Sequence, residues 1–153
     1  MKIVIAAVGR IKSGPEKSLI ESYRTRLPWS VDVREVDHKK GSPPQKNTQT
    51  ETDSMIGFIP KGARIICLDS RGTSLDSAAF AKRIGHWRDD GEANLGFLIG
   101  GPDGLAKSAL AASDLTLAFG TATWPHALAR VLLLEQLYRA HCILTGHPYH
   151  RGH

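Results

Sequence analysis

Hydrophobic and polar positions along the chain alternate between two periods. Ile3 to Val8 is an unbroken apolar run, the pattern of a strand covered on both faces. Ser13 followed by Glu16 has the capping-box spacing, and Leu19, Ile20, Tyr23 and Leu27 then step with a helical period. After Pro28, Trp29, Val31 and Val33 alternate with polar residues, which predicts a second strand. Asp37 to Thr50, DHKKGSPPQKNTQT, has no apolar period and reads as an exposed loop. Met55, Ile56 and Ile59 mark a helix that ends by Pro60. Arg64–Leu68 is a third strand with a loop, Asp69 to Gly72, at its carboxyl end. Phe80, Ile84 and Trp87 define a further helix, closed by Gly91. Leu95–Ile99 is a fourth strand, broken by Gly100-Gly101-Pro102-Asp103-Gly104. A short helix, Leu105 to Ala112, leads to a fifth strand, Leu115 to Phe119.

The last long segment, TATWPHALARVLLLEQLYRA from Thr121 to Ala140, turns at Pro125 into a helix that is apolar nearly all round. Such a helix must be covered on every side. In a short chain a sheet covers one side, and a second copy of the chain is the simplest cover for the other. His126 and Arg130 share a face four residues apart. Glu135 and Arg139 share another, in the favourable acid-first order. Gly146 and Pro148 stop the helix.

Strands alternating with helices predict a single α/β domain over residues 1–153, a mostly parallel sheet with helices on both faces. Its 153 residues, 41% apolar and 23% charged, suit one domain with a sizeable core. No apolar run reaches the length of a membrane span, and MKIVIAAVG reads as a strand, not a leader, so a cytoplasmic protein is expected. Cys67 and Cys142 each sit in apolar segments, as reduced buried thiols do. A net charge of +5 and a pI near 9.4 suit a polyanionic partner. Yet Arg10, Lys12, Arg24, Lys39, Lys40, Lys46, Arg71 and Arg83 are scattered and form no basic arm, the pattern of a solvated surface.

In open parallel sheets ligands bind at the carboxyl ends of the strands. Three turn-rich loops belong there: Asp69–Gly72, Gly100–Gly104 and Gly120–Trp124. The GGxxG spacing of Gly100, Gly101 and Gly104 is neither the dinucleotide fingerprint nor the P-loop. It suits either a plain strand-to-helix turn or a backbone pocket for an adenine or a small zwitterion. A Rossmann dehydrogenase is excluded further by the single glycine in Val8-Gly9-Arg10-Ile11-Lys12. His126 is either a structural donor at a helix start or a substrate contact. Tyr149, His150 and Arg151 are either a frayed terminus or a phosphate- and base-binding segment. His141, His147, His150 and His153 have no carboxylate or thiolate in register, so no metal site is expected.

Taken in order, LIGGPDG (Leu98–Gly104), WPHALARVLLLEQLYRA (Trp124–Ala140) and HPYHR (His147–Arg151) resemble the ribosomal large-subunit RNA methyltransferase H family, a single-domain branch of the SPOUT methyltransferases. The resemblance spans the whole length. It implies a C-terminal trefoil knot, which the usual rule of unknotted chains argues against. It also implies a homodimer, S-adenosylmethionine as methyl donor, and methylation at N3 of a pseudouridine in 23S rRNA within the assembled ribosome. Carried over by position, cofactor contacts fall at Leu68, Gly100, Phe119, Gly120, Thr121, Ala122, Thr123 and Trp124. Trp124 departs from the Leu or Met usual before the Pro-His pair, and Gly146 from the usual Asn. An imide nitrogen attacks well only as its anion, so a base and a nearby positive charge are needed. His126, Arg130, Tyr149, His150 and Arg151 are the candidates. A tRNA methyltransferase of the same fold and a noncatalytic ribosome-binding protein are the rival expectations.

Overall fold

The computed structural model describes residues 1–151; Gly152 and His153, and with them the last two residues of the expected domain and the fourth of the tail histidines, lie outside the described residues. Five strands form one sheet: β1 (Lys2–Val8), β2 (Ser30–Val36), β3 (Arg64–Ser74), β4 (Asn94–Ile99) and β5 (Leu115–Ala118). Their order is β2-β1-β4-β3-β5, and every pairing is parallel. The helices are α1 (Pro15–Arg26), α2 (Pro44–Ile56), α3 (Ser77–Asp89), α4 (Lys107–Ala112) and α5 (His126–Thr145).

The two-sided burial of β1 follows from strand geometry, because successive side chains point to opposite faces. Ile3, Ile5 and Ala7 join one core with Ile20 of α1, Phe80 and Ile84 of α3, and Leu133, Leu134 and Leu137 of α5. Ala6 and Val8 join the other, with Met55 of α2 and Ala109 of α4. The expected α/β architecture with helices on both faces is therefore present.

Four local expectations are corrected. The Ser13–Glu16 capping box does not form: α1 starts at Pro15, whose missing N–H needs no cap. Asp37–Thr50 is only partly a loop, because α2 begins at Pro44. Asn47, Thr48, Glu51 and Thr52 form its buried stripe. Burial of these polar groups is possible because each has a partner. Asn47 Nδ2 donates to Lys39 O (2.5 Å), Thr48 Oγ1 to Pro44 O (2.6 Å), and Ala106 N to Thr52 Oγ1 (3.0 Å), while Glu51 Oε1 meets His38 Nδ1 at 2.6 Å. An apolarity pattern is blind to a helix that buries a satisfied polar face. Asp69–Gly72 is a bulge inside β3, which regains register with β5 at Thr73.

The fourth correction concerns α5. Its flanks are covered by α1 and α3 in its own layer, so the sheet is not its only cover. What remains open is a strip at Leu128, 38% exposed, and half-buried Leu132. Gly146 ends the helix at φ 72°, a left-handed conformation that costs glycine little, and His147 N closes the cap onto Cys142 O (2.9 Å).

Candidate active site

The carboxyl ends of β3, β4 and β5 and the first turn of α5 enclose a cavity of about 490 Å³. Each wall has a local cause. At β3, Asp69 holds the bulge: its Oδ1 accepts from Arg71 N (2.8 Å) and Arg71 Nε (3.0 Å), its Oδ2 from Arg71 Nη2 (2.9 Å). The Arg71 guanidinium keeps the Asp69 carboxyl below the usual carboxylate range. At β4, Gly100 enters a turn closed by Gly104 N to Gly101 O (3.0 Å). A Cβ at Gly100 would stand 2.6 Å from the carbonyl carbon of Gly104, so only glycine lets the turn fold back on itself. At β5, the chain leaves through Phe119 and loops to Pro125. The Trp124 Nε1–H donates to Phe119 O (2.9 Å), which ties the two ends of that loop together.

The wall includes Leu68, Gly100, Phe119, Ala122, Thr123 and Trp124, all expected as cofactor contacts, and His126. Gly120 and Thr121 belong to the same loop but not to the wall. Polar wall groups that the expectation lacked are Asp69, Ser70, Arg71 and Asp103, on two of the loops singled out by strand-end position. The wall is rich in backbone amides and carbonyls, apolar side chains and a few hydroxyl and carboxylate groups. Its volume is in the range of small-molecule sites. Among the described residues no group of His, Cys, Asp and Glu gathers as metal ligands. Among the described residues no helix is long and apolar enough to cross a membrane.

The other expected site residues lie elsewhere in the single chain. Arg130 is 1% exposed and stands behind the wall. Its Nη1 donates to Glu35 Oε2 (2.8 Å) and its Nη2 to Gly9 O (2.5 Å) and Val8 O (3.2 Å). Glu35 Oε2 also accepts from Ile11 N (2.7 Å). Burial pushes the Glu35 carboxyl up, but the hydrogen bonds from Arg130 and Ile11 outweigh it and leave it below the ordinary value. The arrangement pins the first turns of α5 to the ends of β1 and β2. His126 lies against Gly9, where a Cβ would come within 2.9 Å of Nε2. The sequence does carry a signal for Glu35: it follows Trp29, Val31 and Val33 in the register that packs on the core, an acid on the apolar side of β2.

The terminal segment folds onto α5 and away from the cavity wall. Tyr149 Oη donates to Glu135 Oε1 (3.1 Å), and its ring meets Tyr138 edge-on, centroids 4.8 Å apart. Burial and the neighbouring Tyr23 and Glu135 raise its phenol above the ordinary range. Arg139 pairs with Glu135 at 2.6 Å, as the four-residue spacing predicts, and stands 3.3 Å from His150 Nδ1. Arg151 is exposed.

Comparison with known proteins now bears on this geometry. A family model described as "Predicted SPOUT methyltransferase" matches residues 1–150. The "Ribosomal RNA large subunit methyltransferase H" of Rhodospirillum centenum is 48% identical over 152 residues, covering 99% of this chain and all of that protein. The protein of the same name from Nitrobacter winogradskyi is 44% identical over 160 aligned positions, with 99% of this chain and all of that one covered. Among solved structures, a "probable methylase family protein" from Haemophilus influenzae Rd KW20 superposes with a TM-score of 0.58 at 12% identity, over 98% of this chain and 70% of that one. That likeness bears on the fold alone.

Proposed function

The chain belongs to the SPOUT methyltransferases, in the ribosomal RNA large-subunit methyltransferase H family, and we propose that it methylates N3 of a pseudouridine in 23S rRNA, on the assembled ribosome, with S-adenosylmethionine as donor. The observation that carries this reading is the glycine-turn cavity at the carboxyl ends of β3, β4 and β5, built from the loops where the family resemblance puts the cofactor. The cavity fits that group by its own chemistry. The Gly100–Gly104 turn, too tight for a Cβ at Gly100, lines the cavity with glycine backbone, whose amide and carbonyl groups suit an adenine edge and an amino-acid moiety. Leu68, Gly100, Phe119, Ala122, Thr123 and Trp124 on the wall would hold it, with Gly120 and Thr121 shaping the same loop. When bound, S-adenosylmethionine supplies a methyl group on sulfonium, already activated for transfer.

The chain's own residues have two tasks: to align the nucleobase and to favour loss of the imide proton. His126, exposed on the cavity wall at the start of α5, is the imidazole placed to accept that proton within one chain. Arg130 is a positioning residue, because its two terminal nitrogens are held by Glu35, Gly9 and Val8 behind the wall. Tyr149, His150 and Arg151 serve a cavity only across a homodimer, which α5's open strip at Leu128 would build. The trefoil knot and a cytoplasmic location belong to the same reading.

Two measurements test it. Titration calorimetry should detect S-adenosylmethionine binding to the wild-type chain and lose it in Gly100→Ala; absence of wild-type binding overturns the reading. Mixed dimers of a tail-deleted chain and a Gly100→Ala chain should recover part of the methyl transfer that neither parent has; no recovery removes the tail from the shared site.

A further inference from the structure

The basic residues that are scattered in the sequence are not scattered in the fold. In a parallel sheet every loop after a strand emerges at the same edge. Arg10 and Lys12 follow β1, Lys39 and Lys40 follow β2, Lys46 is in the first turn of α2, and Arg71 is in the β3 bulge at the cavity wall. All six are exposed. The cavity opens on this same edge.

This edge is built, although its sequence reads as loop. Arg10 Nε donates to Asp37 Oδ1 (2.6 Å), which joins the loop after β1 to the loop after β2. Asn47 holds the Lys39 carbonyl, and Glu51 holds His38, so the second loop is fastened to α2 from beneath. Glu51 in turn adjoins the glycine turn: a Cβ at Gly101 would come within 3.8 Å of Glu51 Oε2 and 2.8 Å of Val8. Thr52 accepts the Ala106 N–H just beyond that turn. A polar segment with no apolar stripe is thus held in one shape by buried polar side chains, and Lys39, Lys40 and Lys46 are among the groups it presents outward. Lys12, Lys39, Lys40 and Lys46 form no ion pair among the described residues, whereas Arg10 and Arg71 are paired with Asp37 and Asp69.

We propose that this rim, Lys12, Lys39, Lys40 and Lys46 on the loops after β1 and β2, docks the phosphate backbone of structured RNA and leads a target nucleotide to the cavity. The inference rests on the RNA-methyltransferase reading. It adds the surface by which RNA is held, which neither the family resemblance nor the site residues name. Lysine suits this task as an unpaired, compact charge that neutralises a phosphate without reading sequence. Recognition of shape by a rigid rim, with one base presented to a separate cavity, suits a target buried in a folded ribosomal RNA.

Each phosphate neutralised by lysine steepens the fall of affinity with salt by roughly one unit of log–log slope. The test is binding of purified ribosomes to the full chain across a salt series, with methyl transfer measured in parallel. The triple variant Lys39→Gln, Lys40→Gln, Lys46→Gln should lower the salt slope by about two to three and weaken ribosome binding at least tenfold at moderate salt. Its S-adenosylmethionine affinity and melting temperature should stay at wild-type values, and saturating ribosomes should restore its turnover. The control triple Lys2→Gln, Lys61→Gln, Lys82→Gln, away from the rim, should leave the slope unchanged. Equal slopes for the rim triple and the wild type, or equal losses in the rim and control triples, overturn the rim. Absence of methyl transfer by the wild type, with the binding difference intact, overturns the enzymatic reading and leaves the rim standing.

Discussion

Replacing Glu35 by alanine cuts the tie between the sheet and the start of α5. Two donors lose their acceptor at once: the Arg130 guanidinium at 2.8 Å and the Ile11 amide at 2.7 Å. The Arg130 side chain is 2% exposed and that of Glu35 is 26% exposed. The arginine thus keeps a buried charge, while the hole left by the glutamate admits water. Breaking a buried pair by removing one partner costs about 3–5 kcal/mol. Partial access of water puts this case at the low end, and the orphaned amide adds about 1 kcal/mol. The expected loss is about 3–4 kcal/mol, or a fall of about 10 °C in Tm for a domain of this size. Glu35→Gln keeps an acceptor for both donors and should lose about half as much. The sign with pH is fixed by the lowered Glu35 pKa. The unfolded carboxyl takes up a proton before the folded one does, so the contribution is full above the ordinary carboxylate range and is lost as pH falls through the folded value. Urea unfolding of wild type and Glu35→Ala, followed by far-UV dichroism from pH 7 to pH 3, should show a gap that narrows toward acid. A gap below about 0.5 kcal/mol at pH 7, or one that widens toward acid, refutes the argument.

Gly100→Ala places a methyl against the Gly104 backbone, which cannot swing aside as a side chain would. It should reduce S-adenosylmethionine affinity at least tenfold by calorimetry while the far-UV spectrum stays native. Cys67 is buried, and burial pushes its thiol up to about 11, so in the native chain at pH 8 a thiolate reagent should label it no faster than the protein unfolds. Tyr149→Phe removes the 3.1 Å bond to Glu135 and should cost about 1 kcal/mol of stability by thermal unfolding. If the tail also completes a partner's site, that variant should in addition lower kcat for methyl transfer. Trp124→Leu removes the tie to Phe119 O and should raise the KM for S-adenosylmethionine with little change in global Tm.

The layered sheet was legible because burial on two faces writes a continuous apolar run, as in Ile3–Val8 and Leu95–Ile99, and because glycine and proline punctuate the ends. The cavity was legible for a related reason: in a parallel sheet, strand direction alone assigns the loops at 69–72, 100–104 and 120–124 to one edge. Three features were not. The first half of α2 buries Asn47, Thr48, Glu51 and Thr52, and a helix recognised by apolar period cannot be seen when its inward stripe is polar. The β3 bulge combines a local Asp69–Arg71 turn with Gly72 pressing against Thr116, and that second contact is set by tertiary approach. Arg130 has its helical position written in the sequence, but its partners Glu35, Val8 and Gly9 are about a hundred residues away along the chain. For the same reason the lysines after β1 and β2 look dispersed until the strand order joins their loops.

The most direct test is transfer of labelled methyl from S-adenosylmethionine to assembled ribosomes that lack the modification, with free 23S rRNA and tRNA alongside, followed by nucleoside digestion. The account predicts label in N3-methylpseudouridine from the ribosomes, with little from either free RNA. Label in tRNA, label in another nucleoside, or no transfer to any of the three contradicts it.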